Sequence, residues 1–147
     1  MEPIWLASYA AGVPKEIEFN EITLPDSLSR SAARFPQRPA LMFQTTAISF
    51  RELDWMVSRF AAALKVAGIR QGDRVSLVLP NIIQTATALY GVLRAGATAV
   101  LHSPRADDIA LKHQFNDAKS KMAVCLDVLC PRIIALRSKC GIKQVIS

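Results

Sequence analysis

A histidine, a serine and two aspartates fall together in the run His102-Ser103-Pro104-Arg105-Ala106-Asp107-Asp108. Those side-chain types could carry nucleophilic acyl transfer: serine attacks, histidine takes its proton, and a carboxylate orients the ring. Such triads are assembled from separate parts of a fold, and members this close in sequence rarely reach the required geometry. The same residues read more simply as the end of a strand, where α/β sites gather, followed by the start of a helix. Ser103 is then the N-cap, Pro104 the first helical residue, and Asp107-Asp108 suit the positive end of the helix dipole. His113, between Lys112 and Gln114, reads as a solvated helix residue. Neither histidine has the paired spacing of a zinc site, and Cys125, Cys130 and Cys140 form no CxxC. The three thiols read as buried or free in a reducing compartment.

Phosphate chemistry would need a glycine-rich turn between strand and helix, where main-chain N–H groups and the helix dipole face the anion. Gly68 and Gly72-Asp73 come before a strand instead. No GxGxxG, GxxxxGK[ST] or GxSxG occurs. The strand-to-helix turn Leu79-Pro80-Asn81-Ile82 holds no glycine that would admit close backbone approach. No catalytic, cofactor-binding or metal-ligating residue is therefore assigned.

The elements around these residues are better specified than their chemistry. Residues 3–23 lack periodicity and read as an irregular strap, with Trp5 and Tyr9 expected to pin it to the body. Asp26 is expected to N-cap a short helix through Arg34, stopping before Pro36. Two short apolar runs around Gln44–Thr46 suggest a hairpin, without a glycine turn signal. Ser49 and Glu52 have capping-box spacing at the head of a helix over 49–68, whose apolar face is Leu53, Met56, Val57, Phe60, Ala61 and Leu64. Gly68 ends it. Strands then alternate with helices: strand 74–79, helix 82–95 with Asn81 as N-cap, strand 97–101, a helix from Ser103-Pro104 to about Ala118, strand 121–126, helix 128–139 and strand 142–146. Strands apolar on both faces alternating with helices predict a parallel sheet of βαβ units, an α/β fold with an N-terminal hairpin.

Composition agrees with a folded chain. The 147 residues are 51% hydrophobic and 20% charged, and the formal net charge is +6. That excludes disordered and collagen-like classes, and a chain of this size can bury ~70% of its unfolded surface. Locally the charge sums to −4 over residues 1–27, +6 over 28–127 and +4 over 128–147. The basic residues are dispersed, unlike a nucleic-acid stripe. The start has no positive n-region, so no secretory signal is expected. The uncharged run from Val75 to Leu93 is interrupted by Pro80-Asn81 and reads as strand, break and helix rather than a membrane span.

Several stretches together resemble the N-terminal part of bacterial long-chain fatty acid–CoA ligases. They are Trp5…Ser8-Tyr9…Gly12-Val13-Pro14…Glu16-Ile17, Arg34-Phe35-Pro36…Arg38-Pro39-Ala40-Leu41 and Ile48-Ser49-Phe50-Arg51-Glu52-Leu53. The densest are Gly72-Asp73-Arg74-Val75, Leu79-Pro80-Asn81, Gly91-Val92-Leu93-Arg94-Ala95-Gly96 and His113-Gln114-Phe115-Asn116-Asp117. These ligases belong to the adenylate-forming (acyl-CoA synthetase, AMP-binding) superfamily. The resemblance implies a two-step reaction with ATP, Mg2+ and CoA: acyl-AMP and pyrophosphate form first, then CoA displaces AMP. The family's phosphate loop and catalytic lysine domain lie downstream of the stretches matched, so no site residue is carried over and this chain is expected to bind no cofactor. Two departures stand out. Where the family has Asn-Pro, an aromatic and Thr, this chain has the altered His102–Asp107 loop, and Thr45-Thr46 lacks a glycine often found at the hairpin turn.

The resulting expectations are a strap over 1–25 and an incomplete α/β N-terminal subdomain over 26–147. The chain is expected to act as scaffold for a fatty acid–CoA ligase and to be inactive alone. A stand-alone binding or assembly module derived from that fold is the alternative, and an unrelated nucleotide-binding α/β protein a third. Expected partners are the rest of the ligase or a self-associating copy, with fatty acid and CoA as full-length substrates, no nucleic acid and no transmembrane span. A cytoplasmic location is expected, with peripheral membrane contact left open. The last strand reaches the C-terminus with no closing helix, predicting marginal stability or oligomerisation.

Overall fold

The computed structural model describes residues 3–17, 19 and 21–147, so residues 1, 2, 18 and 20 of the strap lie outside the described residues. The chain begins with a 3-10 turn, Ile4–Ser8, that buries none of its residues. Trp5 and Tyr9 stay exposed, so the expected aromatic pinning is not found.

Helix α1 spans Leu24–Arg34, starting three residues earlier than expected. Thr23, not Asp26, is its N-cap: the Thr23 hydroxyl accepts from the Asp26 N–H at 3.2 Å and donates to the Asp26 carboxylate at 2.6 Å. Asp26 thus sits inside the first turn, where a carboxylate favours the helix dipole. Strands β1 (Pro39–Phe43) and β2 (Thr46–Ser49) pair antiparallel as the expected hairpin. Gln44 supplies the left-handed turn residue, at φ 53°. Helix α2 (Phe50–Val66) carries the capping box in full, Ser49 accepting from the Glu52 N–H and Glu52 from the Ser49 N–H. Gly68, at φ +86°, ends it in the geometry that glycine adopts without a Cβ clash.

Then come β3 (Arg74–Val78), α3 (Ile83–Arg94), β4 (Thr98–Leu101), α4 (Asp108–Ala118), β5 (Met122–Cys125), α5 (Cys130–Arg137) and β6 (Gln144–Ile146). The four strands β3 to β6 form a parallel sheet in the order β4-β3-β5-β6. The chain moves from β3 to one neighbour, β4, and then crosses back to β5 on the other side. One face of the sheet, through Val75, Leu77, Met122 and Val124, packs against α2 and α3. The opposite face, through Val78, Ala123 and Cys125, packs against Leu111 and Phe115 of α4 and Ile133 and Leu136 of α5. The central strands β3 and β5 are buried almost throughout, whereas β4 and β6 form partly exposed edges.

A third cluster joins α1, α2 and the hairpin around Leu28, Leu53 and Val57. Arg94, the last residue of α3, binds this assembly together. Its guanidinium donates to Asp54 and Ser58 of α2, to Ser29 of α1 and to the Pro25 carbonyl. At the amino edge of the sheet, Lys121 donates to the Asp73 carboxylate and to the Gly68 carbonyl, each at 2.7 Å.

Two further N-caps differ from expectation. Helix α3 starts after Ile82, which offers no side-chain cap, so Asn81 does not fill that role. The break is closed instead by the Thr85 hydroxyl, which donates to the Pro80 carbonyl. Helix α4 starts after Asp107, whose carboxylate accepts from the Ala110 N–H at 2.7 Å. Ser103 and Pro104 belong to a separate turn, in which the Ser103 hydroxyl accepts from the Arg105 N–H.

Candidate functional site

In a parallel sheet with helices on both faces, ligands settle beyond the carboxyl ends of strands whose connections leave to opposite faces. Here those neighbours are β3, which continues into α3 on one face, and β5, which continues into α5 on the other. Beside this point lies a groove of about 400 Å³. Its walls are Met56 and Phe60 of α2, Leu79 and Ile82 before α3, and Val124 and Ile146 of the sheet. Gln84, Thr87, Asp127 and Ser147 supply its few polar side chains. The Thr87 hydroxyl is already committed to the Ile83 carbonyl at 3.2 Å. A mostly apolar groove with sparse polar groups suits an aliphatic ligand or a packed apolar segment.

The second arrangement is polar and buried. His102, just beyond β4, is 7% exposed. Its Nε2 lies 2.8 Å from the Ser76 hydroxyl, and its Nδ1 lies 2.8 Å from Gln114 Oε1. Ser76 is in turn 2.7 Å from the Ser120 hydroxyl. A donor Nδ1–H facing the Gln114 oxygen leaves Nε2 to accept from Ser76, which satisfies every member of the chain. The Phe115 ring meets the imidazole edge-on, with centroids 5.1 Å apart. Burial disfavours the charged imidazolium and lowers the His102 pKa, while the Gln114 hydrogen bond opposes that shift.

This serine–histidine pair has the reach that nucleophilic catalysis requires. Ser76, however, is fully buried, and no substrate carbonyl can approach its Oγ. The network therefore locks β3, β4, the start of β5 and α4 together.

The residues singled out in the sequence separate in space. Ser103 is exposed and held by its own turn. Asp107 caps α4, and Asp108 accepts from Arg132 Nε at 2.5 Å. Neither carboxylate is among the hydrogen-bond partners of the imidazole, so the adjacent set makes no triad. His113 is exposed on α4, as expected. All three cysteines are free, with Cys125 and Cys140 buried. Ser76, Gln114 and Ser120 escape sequence reasoning. The available signal is Ser76 itself, the one polar residue in the apolar strand Val75-Ser76-Leu77-Val78, because a buried hydroxyl requires a partner.

Among the described residues, no three or more His, Cys, Asp or Glu side chains converge to hold a cation, and no helix is long and apolar enough to cross a membrane.

Comparison with known proteins bears on the whole arrangement. The family model described as AMP-binding enzyme matches residues 28–146. A long-chain fatty acid–CoA ligase from Bacillus subtilis is 34% identical over 142 residues, covering 97% of this chain and 25% of that protein. A ligase of the same name from Escherichia coli is also 34% identical and covers 99% of this chain and 26% of its own length. Among solved structures, a long-chain fatty acid–CoA ligase from Archaeoglobus fulgidus superposes with a TM-score of 0.82 over 93% of this chain and 29% of that one, at 23% identity. A Mycobacterium tuberculosis fatty acyl CoA synthetase gives a TM-score of 0.77 over 83% of this chain and 26% of that one, at 24% identity. The chain thus spans about a quarter of the length of the curated relatives it matches.

Proposed function

The chain belongs to the AMP-binding enzyme family, and from that premise we propose that it forms the N-terminal scaffold of a fatty acid–CoA ligase. The reaction proposed for the whole enzyme joins a fatty acid to ATP as acyl-AMP, releasing pyrophosphate, and then transfers the acyl group to the CoA thiol. The observation that carries this reading is the 34% identity to long-chain fatty acid–CoA ligases along 97% of the chain, against only 25% of the relative's length.

In this reading, residues 1–25 are a strap and 26–147 an α/β subdomain that contributes structure rather than chemistry. The mostly apolar groove beside the partly exposed edge strand β6 supports it, because such a surface suits a further packed segment. ATP, Mg2+ and CoA would be held by segments of the enzyme other than residues 1–147, and no step of the reaction is assigned to this chain. The location proposed is cytoplasmic, with peripheral contact at the membrane where fatty acids partition.

The test is fatty-acid-dependent ATP–pyrophosphate exchange. The 147-residue chain alone is expected to give background. Added to the remaining three quarters of the Bacillus subtilis relative, it is expected to restore exchange. Exchange from the clean chain alone would overturn the scaffold reading.

A second reading, a stand-alone assembly module, is favoured by the open edges of β4 and β6 and by the same groove. Sedimentation over a wide concentration range decides it: association into a defined oligomer supports the module, and a monomer throughout removes it.

A further inference from the structure

Basic residues that are dispersed along the sequence are gathered by the topology. Every helix-to-strand connection of a parallel sheet returns to its amino edge, here through residues 67–73, 95–97, 119–121 and 138–143. These connections carry Arg70, Lys119, Lys121, Lys139 and Lys143 against Asp73 alone. Asp73 is already paired with Lys121. At the other edge, the strand-to-helix connections 79–82, 102–107 and 126–129 carry Arg105 against Asp107 and Asp127. The protein is therefore polarised along its strand axis, positive at the amino edge.

Part of this charge has a local explanation. Lys65 and Arg137 lie in the last turns of α2 and α5, and Lys119 is the C-cap of α4. Cations there suit the negative end of the helix dipole, with Asp117 of α4 the one acid in those turns. The effect fades beyond the last turn, and Arg70 and Lys143 lie outside it. The Arg70, Lys119, Lys139 and Lys143 side chains are exposed and make no hydrogen bond or ion pair among the described residues. Lys119, Lys121 and Lys143 rim a depression of about 320 Å³. Val66 stands 91% exposed at the same edge, two residues before the Gly68 carbonyl that Lys121 reaches.

We propose that this amino edge docks on an anionic phospholipid bilayer, its lysines at headgroup phosphates and Val66 at the interface. A surface suits the arrangement better than a single anion, because four strands spread the charge over about 14 Å. Lysine fits that role as a flexible point charge rather than a fork aimed at one phosphate. Nucleic acid fits less well, since the same connections hold no aromatic side chain for base stacking. The proposal rests on the membrane contact proposed for the ligase above. Vesicle binding needs no ligase activity, so failure of either test leaves the other reading standing.

The test is co-sedimentation of the native 147-residue chain with phosphatidylcholine vesicles, plain or containing about 30% phosphatidylglycerol. Binding is expected to the anionic vesicles only. Raising NaCl from about 0.1 M to about 1 M shortens the screening length from about 10 Å to about 3 Å and should abolish it. Each lysine near an anionic surface strengthens partitioning about fivefold, so Lys139→Gln with Lys143→Gln should weaken binding about 25-fold. Arg51→Gln with Arg105→Gln removes the same charge from the first turn of α2 and the connection after β4. That pair should weaken binding less than about threefold, because those positions lie more than a screening length from the bilayer. All four side chains are exposed, and an unchanged far-UV circular dichroism spectrum confirms that each variant folds. No binding to anionic vesicles, equal binding to neutral ones, or equal losses in the two double variants would overturn the proposal. Preference for a nucleic-acid duplex or for free pyrophosphate, lost with the same lysines, would reassign the edge and overturn it as well.

Discussion

The Arg94 guanidinium donates to the Asp54 carboxylate at 2.6 Å and to the main-chain carbonyl of the same residue at 3.0 Å. One side chain at the end of α3 thereby grips α2 through both an ion pair and a peptide group, and it reaches α1 through Ser29. Lysine has the charge but not the fork that serves several acceptors at once. Arg94→Lys is expected to cost about 1–3 kcal/mol, because partly buried acceptors lose charged donors. Urea denaturation measures it, and a change under about 0.5 kcal/mol would show the grip to be incidental.

His102 sets a pH dependence with a definite sign. Its folded pKa lies below the ordinary histidine value of about 6.5 because burial disfavours the imidazolium. The unfolded chain therefore binds this proton more readily. The stability it contributes is full above about pH 6.5 and is lost as pH falls through the lower folded value. His102→Asn should lose about 1–3 kcal/mol at pH 7, and the gap to the unmodified chain should narrow at pH 5. A gap that is equal at both pH values would contradict the neutral, buried ring.

Gly91 is held to glycine by Phe60. A Cβ at Gly91 would fall 2.6 Å from Phe60 Cδ1 and 3.3 Å from its Cβ, so a simple swing of the ring tip does not relieve the clash. Alanine gains up to ~1 kcal/mol in a helix interior, but overpacking costs about 1–3 kcal/mol. Gly91→Ala is expected to lower the melting temperature, and adding Phe60→Leu to recover part of the loss. A stabilised single variant would show that the α2–α3 contact is slack.

Asp107 and Ser103 offer a matched pair. Asp107→Ala removes the cap of α4 and should cost about 0.5–2 kcal/mol. Ser103→Ala affects only a surface turn and should stay within about 0.5 kcal/mol. The reverse order in thermal melts would return the cap to Ser103.

Order and type of the elements are legible because the sequence repeats its signals. The capping box at Ser49 and Glu52, the glycine stop at Gly68 and the apolar runs of β3 and β5 each point one way. The caps of α1, α3 and α4 fall elsewhere than expected because several acceptable residues stand side by side, and only geometry chooses among Thr23 and Asp26, or Ser103 and Asp107. The polar lock is hidden for another reason. Ser76 meets His102 across 26 positions and Ser120 across 44, and no local spacing encodes a contact of that range. The groove is equally invisible, since it is a property of the sheet order.

That order also dictates a sequence of events in folding. The strands β3 and β4, with α3 between them, form a contiguous unit that can close early. Strand β5 must pair along the opposite side of β3, from the far end of α4. Loop closure is unfavourable until such distant contacts form. Pulse-labelled hydrogen exchange should therefore protect the amides shared by β3 and β4 before those shared by β3 and β5. During that interval the apolar flank of β3 is a bare template, and the interval is when this chain is most exposed to pairing with the wrong strand.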